Sequence, residues 1–416
     1  MRSPLREIAL LFLKLGTFGF GGPATHLALM EDEVVQRRKW LTSEQYVDLI
    51  GATNLIPGPN STEMAIHIGF LRGGAAGLVV AGACFITPAV LITVALAWLY
   101  VTHGQLPQVL PAIAWIKPAV LAIIFAAGYR LGRTTIKGTA AGLIAAGVGA
   151  ASLGQLPEIP VFFGGSAVGT ALLLWLRARS SRRGAGGRRA AGLLVGAGVG
   201  GSAAVAHAGW LGPLASVAAS GPAAATLMQL GLFFLKVGAV LYGTGYVLIA
   251  YLQGGLVDQY GWLTEAQLLD AVAVGQLTPG PIVSAATFIG YVIMAPAGGP
   301  VWGLAGAAVA TAGVFLPSFV FVAVSNPFVP RLRRSRPTAA FLDAVNAASL
   351  GLMAAVVLKL AAAVLFPDGL RHAPDWSAAL IGAVAAAVLL RWKANAVWLI
   401  VGGALAGWGL HWSGVW

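Results

Sequence analysis

Residues 12–59, FLKLGTFGFGGPATHLALMEDEVVQRRKWLTSEQYVDLIGATNLIPGP, align without a gap on residues 234–281, FLKVGAVLYGTGYVLIAYLQGGLVDQYGWLTEAQLLDAVAVGQLTPGP, at a constant shift of 222. Phe12-Leu13-Lys14 meets Phe234-Leu235-Lys236, Gly16 meets Gly238, Gly21 meets Gly243, and Trp40-Leu41-Thr42 meets Trp262-Leu263-Thr264. Gln45 falls on Gln267, Asp48 on Asp270, and Pro57-Gly58-Pro59 on Pro279-Gly280-Pro281. Further on, at a shift of 229, Pro88 falls on Pro317 and Lys117 on Asn346. Chance pairing of apolar residues does not keep Lys, Trp, Asp and two Pro-Gly-Pro triplets in register, so the chain is a tandem duplication.

The duplicated unit belongs in lipid. Of 416 residues 58% are apolar and only 10% charged, and the mean hydropathy is +0.82, which excludes an ordinary soluble domain. Apolar stretches at 75–100, 112–128, 190–209, 301–324 and 339–365 approach or exceed the ~20 residues that cross a bilayer as a helix. The net charge of +12 sits in short Lys/Arg clusters between these stretches, the pattern of cytoplasmic loops and not of a nucleic-acid-binding face. The single cysteine, Cys84, lies in an apolar run and reads as packing. Arg2 and Arg6 before an apolar run resemble a secretory signal, but the run leads into Gly21-Gly22-Pro23 and the charged Glu31-Asp32-Glu33, so it is expected to stay in the mature protein.

Loop charge sets the orientation of each half. The loop before Trp40 holds Arg37-Arg38-Lys39, whereas its counterpart before Trp262, residues 257–261, holds no base. The asymmetry reverses in the next pair: residues 102–111 have no Lys or Arg, and residues 326–337 have Arg331, Arg333, Arg334 and Arg336. Equivalent loops on opposite sides make an inverted repeat. The expected fold is therefore an all-α polytopic membrane protein of two inverted-topology repeats with broken or re-entrant helices. Its divisions are a first repeat 1–176, an Arg/Gly-rich cytoplasmic linker 177–189, an orientation-reversing span and connector 190–221, and a second repeat 222–416. Residues 8–36 and 43–72 read as broken or re-entrant hairpins, followed by spans near 75–100, 112–128, 139–155 and 161–176. The second half repeats the pattern with spans near 301–324, 339–365, 376–390 and 394–412. The N-terminus and linker face the cytoplasm, and Arg371 alone falls on the wrong side.

Chemistry is expected at the helix breaks, because irregular backbone at membrane depth is tolerated only against protein or a water-filled cavity. Gly21-Gly22-Pro23, Pro57-Gly58-Pro59 and Pro279-Gly280-Pro281 are such breaks, with proline removing a donor and glycine permitting the turn. Asn60-Ser61-Thr62-Glu63 after the first Pro-Gly-Pro reads as a capped helix start with Asn60 or Ser61 as N-cap, and a helix N-terminus suits an anion. An ordinary capped loop is the plain alternative, and two symmetric Pro-Gly-Pro breaks weigh against it. Lys14 and Lys236, equivalent and both in apolar segments, either snorkel from helix ends or face one cavity, where two cations would neutralise a dianion. His26, Glu31, Glu63 and His67 have Leu248, Gln253, Ala285 and Ile289 as counterparts, so these ionisable groups of the first half are candidates for proton coupling. Asp48 and Asp270 read as surface or capping residues. Neither a metal-ligand cluster nor an enzyme motif is present, so no metal, no cofactor and no enzymatic activity is expected.

Phe18-Gly19-Phe20-Gly21-Gly22-Pro23, His26, Met30-Glu31, Trp40-Leu41-Thr42 and Asn54-Leu55-Ile56-Pro57-Gly58-Pro59-Asn60-Ser61-Thr62-Glu63, with Gln276-Leu277-Thr278-Pro279-Gly280-Pro281 in the second half, resemble the chromate ion transporter family in its long two-domain form. The resemblance implies export of chromate, a tetrahedral dianion like sulfate, from a bacterial inner membrane, and hence chromate resistance. A transporter or channel for sulfate or another anion is the alternative, and an integral membrane enzyme the lesser one. On this reading the dianion lies between the two Pro-Gly-Pro helix ends, held by backbone N–H groups, Asn60, Ser61, Thr62 and Ser284, with Lys14 and Lys236 supplying charge. The expected partners are chromate, with sulfate as the rival ion, and the bilayer; nucleic acid is not among them, and a homodimer is compatible.

Overall fold

A computed structural model describes residues 4–20, 22–154, 156–184, 225–242, 245–325, 336–367, 369, 373–392 and 394–412. All regular structure among these residues is helical. In the first half, α1 (Pro4–Phe18) is followed by α2 (Pro23–Glu31), which runs into a π-helical turn at Asp32–Arg37. Next come α3 (Ser43–Thr53), α4 (Asn60–His103), α5 (Leu110–Thr135), α6 (Thr139–Leu153) and α7 (Glu158–Gly184). The second half repeats the series with α8 (Leu227–Val240), α9 (Val247–Leu252) and its π-helical turn (Gln253–Gln259), and α10 (Glu265–Leu277). A 3₁₀ turn at Ile282–Ser284 then leads to α11 (Ala285–Ser325), α12 (Arg336–Leu365), α13 (Trp376–Trp392) and α14 (Ala396–Trp412).

The duplication holds down to single hydrogen bonds. The Trp40 N–H donates to Val34 O at 2.8 Å and the Trp262 N–H to Leu256 O at 2.9 Å. Thr42 with Gln45, and Thr264 with Gln267, form reciprocal capping boxes that start α3 and α10, each satisfying two otherwise orphaned donors. Gly22, at φ 83°, and Pro23 at the first helical position start α2, the residue pair that a sharp entry into a helix favours.

Both long helices, α4 and α11, are hairpins. Gly73 and Gly74 leave helical geometry, as do Gly298 and Gly299. A β-carbon on Gly69 would collide with Ala81 and the Gly77 carbonyl, although residues 69 and 81 of one straight helix stand about 18 Å apart. Gly290 is equally close to Gly306 and Ala310, and the Thr287 and Thr311 hydroxyls meet at 2.7 Å across the second hairpin. Glycine is required where the limbs touch backbone to backbone, and the reversals at 73–74 and 298–299 separate the hairpin ends expected near 72 from the spans expected near 75–100 and 301–324.

Equivalent helices of the two halves run antiparallel. A β-carbon on Gly128 would stand 3.6 Å from Met353 and one on Gly132 3.6 Å from Leu350, so α5 ascends as α12 descends. The same holds between α4 and α11, where Leu78 clusters with Val322 and Gly82 abuts Phe319. Inversion of the repeat is thus visible in the packing. The halves are also interleaved: α5 packs on α13 and α14, and α12 on α6 and α7, so one apolar core holds residues of both.

Five described helices, or helix segments, are long and apolar enough to cross a membrane: Asn60–His103, Leu110–Thr135, Glu158–Arg179, Ala285–Ser325 and Pro337–Leu365. Thr139–Leu153, Trp376–Trp392 and the start of α14 are shorter apolar helices. With both hairpins these make a multi-pass membrane protein. Residues 177–184 of the expected linker continue α7. The rest of the linker, the expected span 190–209, Gly21, Gly243, Arg331, Arg333, Arg334 and Arg371 lie outside the described residues.

Candidate functional site at the crossed helix breaks

Each Pro-Gly-Pro break of one half is tied to the first helix break of the other. The Gly58 N–H donates to Leu241 O at 2.6 Å, and the Gly280 N–H donates to Gly19 O at 2.9 Å. Gly58 and Gly280 are equivalent, as are Gly19 and Leu241, so these are one bond and its symmetry mate. Both glycines have positive φ, 147° and 97°, and both are closed in by the partner half: Ser318 crowds Gly58, and Ala89 lies 3.1 Å from where a Gly280 β-carbon would be. The molecule therefore has two crossings at the heart of its fold, each a backbone break with little room for a side chain.

The crossings differ in chemistry. At the first, α4 begins directly after Pro59, which is its N-cap; no side chain caps it. The expected capping by Asn60 or Ser61 is thereby corrected: both are inside the helix, and the Asn60 amide donates to Asn54 Oδ1 at 2.8 Å instead. Proline at the N-cap has no N–H, and the Thr62 and Glu63 N–H groups turn back onto Pro59 O at 2.8 and 3.1 Å. The Asn60 and Ser61 N–H groups take no backbone acceptor among the described residues. Around this end, Thr62 Oγ1, Ser318 Oγ and both Glu63 carboxyl oxygens are buried without a hydrogen-bond partner. At the second crossing a 3₁₀ turn precedes α11, and the Ser284 and Thr278 hydroxyls satisfy each other at 3.2 Å. Unpartnered buried polar groups demand an explanation, and among the described residues those of Thr62, Glu63 and Ser318 lie together at this break.

A cavity of about 450 Å³ reaches this region, lined among others by Asn54, Asn60, Lys137, Tyr242, Asp343 and Asn346. Lys137 stands on its wall, and Asp343 of that wall pairs with Arg177 at 2.5 Å. The cavity is a vestibule that ends at the first break, where Ile56 and Asn60 line it.

The remaining expected residues fall as follows. Lys14 donates to Glu33 Oε1 at 2.6 Å and is 53% exposed; this contact, with help from Arg38, holds the Glu33 carboxyl below the usual carboxylate range. Lys236 is also exposed and acts electrostatically on Glu158. Lys14 is thus paired at the surface and Lys236 is exposed near a different acid, positions where a long aliphatic stem lets the head group reach water, so the two do not share one cavity. Gly22 is open on its side-chain face. His26 is buried, with Nε2 2.8 Å from the same Gly19 carbonyl that receives Gly280, which places it at the second crossing. His67 is fully buried two turns into the first limb of α4, and Glu31 is half-buried at the end of α2. Asp270 corrects its reading as a surface or capping residue: it is buried and accepts from the Tyr100 hydroxyl at 2.9 Å, whereas Asp48 is exposed. Among the described residues no group of His, Cys, Asp and Glu is arranged to hold a metal.

Sequence reasoning missed Ser318, Tyr242, Asn346 and Lys137. Ser318 had a signal: it follows the aligned Pro317 and replaces the apolar Ala89 of the first half. Asn346 stood in the repeat alignment opposite Lys117 without being assigned to a site.

A family model described as "Chromate transporter" matches residues 6–175 and 228–408, the two halves seen in the structure. The chain is 32% identical over 402 residues to the chromate transport protein of Cupriavidus metallidurans, covering 96% of this chain and 91% of that one. It is 31% identical over 403 residues to the chromate transport protein of Pseudomonas aeruginosa, covering 95% and 90%. With the probable chromate transport protein of Synechococcus elongatus the identity is 28% over 400 residues, covering 94% and 90%. No solved structure matches the chain significantly.

Proposed function

The chain belongs to the chromate transporter family, and from that premise we propose that it carries chromate out of the bacterial cytoplasm across the inner membrane by alternating access, so conferring chromate resistance. The observation that carries this reading is the vestibule that ends at the first break, where among the described residues the Asn60 and Ser61 N–H groups take no backbone acceptor and the Thr62 and Ser318 hydroxyls have no partner. A tetrahedral dianion supplies four acceptor oxygens for just such donors, and the positive end of the α4 dipole stabilises its charge. Lys137 on the cavity wall attracts it from the cytoplasm. Rocking of the two inverted halves about the crossings would then pass the site from the cytoplasmic to the outer side. Outward movement of two negative charges is favoured by ~4.6 kcal/mol per 100 mV of inside-negative potential, at ~2.3 per charge. The N-terminus and the basic linker face the cytoplasm on this reading.

Everted membrane vesicles test it, since their lumen is the outer side. Vesicles with the wild-type chain should accumulate chromate when energised, sulfate should compete because it has the same charge and shape, and Ser61→Ala/Thr62→Ala should lose most of the uptake at unchanged protein level. Uptake equal to that of vesicles lacking the protein would overturn the proposal.

A further inference from the structure

The same break holds a charge problem. Glu63 lies in the first turn of α4, and helical side chains lean toward the N-terminus, so its carboxyl folds back over the break and presses on Gly58 beside Ser318 Oγ. It is 0% exposed, and both its oxygens lack a partner among the described residues. An ionised Glu63 would itself be the anion at the helix end, and a dianion could not join it without strong like-charge repulsion in a buried site.

Resting on the reading of the first break as the anion site, we propose that Glu63 must be protonated before the oxyanion can bind there, so that one proton travels outward with each dianion. The proton passes from cytoplasmic water through the vestibule to a Glu63 carboxyl oxygen, Ser318 Oγ then receives the acid O–H in a hydrogen bond, and the proton leaves to the outer side with the anion. No bond in the oxyanion changes, and the net movement is one negative charge per cycle. The device exists once, because the positions equivalent to Glu63 and Ser318 are Ala285 and Ala89.

Among the described residues no cation is bonded to Glu63 in compensation. On α4, His67 lies one turn on and Arg72 pairs with Glu7. Lys14 of α1 is bound to Glu33, and His26 of α2 is held at Gly19 of the other crossing. Glu31, Glu44 and Asp48 of α2 and α3 add only negative groups, Asp270 of α10 is held by Tyr100, and α11 brings Tyr291. Tyr242, after α8, is within electrostatic reach of the carboxyl.

Chromate binding to the full-length protein in nanodiscs, followed by calorimetry in buffers of differing ionisation enthalpy from neutral to alkaline pH, tests the coupling. On the alkaline limb, where free Glu63 is ionised, the wild type should take up about one proton per chromate bound, with affinity falling about tenfold per pH unit. Glu63→Gln, which mimics the protonated acid, should bind chromate with no proton uptake and no such slope. Wild-type binding without proton uptake, or a wild-type slope retained in Glu63→Gln, would overturn the coupling. Should the variant fail to fold, the wild-type proton count decides alone. Wild-type protein that binds no chromate at any pH would instead overturn the anion site.

Discussion

At the scale of single residues, two glycines with positive φ at the helix breaks of the first half separate strain from crowding. Gly22 has φ 83° and nothing within 4 Å of a β-carbon, whereas Gly58 has φ 147° and would drive a β-carbon into Glu63 and Ser318. Gly22→Ala should cost about 1–3 kcal/mol of backbone strain, since φ 83° with ψ −171° is a region that glycine alone readily adopts, and lower the melting temperature by a few degrees. Gly58→Ala adds collision to strain and should abolish transport and lower the melting temperature much further in the same assay. Lys14→Gln should leave efflux within a few-fold of wild type, because the buried Glu33 keeps Arg38 at 3.1 Å and Lys14 itself is half-exposed; loss of efflux would return Lys14 to the substrate path. At this scale the sequence was partly legible. The Pro-Gly-Pro breaks and Glu63 stand out because proline, glycine and carboxylate are costly in lipid. Asp48 and Asp270 occupy equivalent positions in the repeat yet differ in burial, since the helices packed on each half differ, and no local pattern records that.

At the scale of elements, the hairpins of α4 and α11 depend on backbone contact between limbs. Gly77→Leu should be far more damaging than a cavity mutation, since its β-carbon would meet the Gly69 carbonyl and overpacked backbone cannot yield; little folded protein is expected in detergent, against a near-normal yield for Gly147→Leu, which has open space. Normal folding of Gly77→Leu would argue against the hairpin. The boundary expected between residues 72 and 75 marks the place of the first turn, but periodicity could not show that the limbs fold back on each other, because a Gly-Gly pair carries no sign of direction. The capping boxes at Thr42 and Thr264, by contrast, follow the S/T-x-x-E/Q signature that sequence alone displays.

At the scale of the whole molecule, inversion was readable from loop charge because insertion itself reads Lys and Arg, but interleaving was not: that α5 packs on α13 and α14, and α12 on α6 and α7, depends on contacts far apart in sequence. The consequence is mechanical. Neither half can move without carrying helices of the other, and the two crossings, Gly58 on Leu241 and Gly280 on Gly19, are where such movement must hinge or part. With proton coupling the driving force falls from ~4.6 to ~2.3 kcal/mol per 100 mV, so efflux should weaken, not strengthen, when the outer side is acidified at fixed potential. On the proposed mechanism the protein is a carrier that binds its dianion at the first break and exposes it alternately to the two sides. Counterflow tests this most directly: proteoliposomes preloaded with unlabelled chromate and diluted into trace radiolabelled chromate should show a transient overshoot of label with the wild-type protein and none with Ser61→Ala/Thr62→Ala of equal melting temperature. Label that equilibrates without overshoot, or an overshoot undiminished in the double variant, would contradict it.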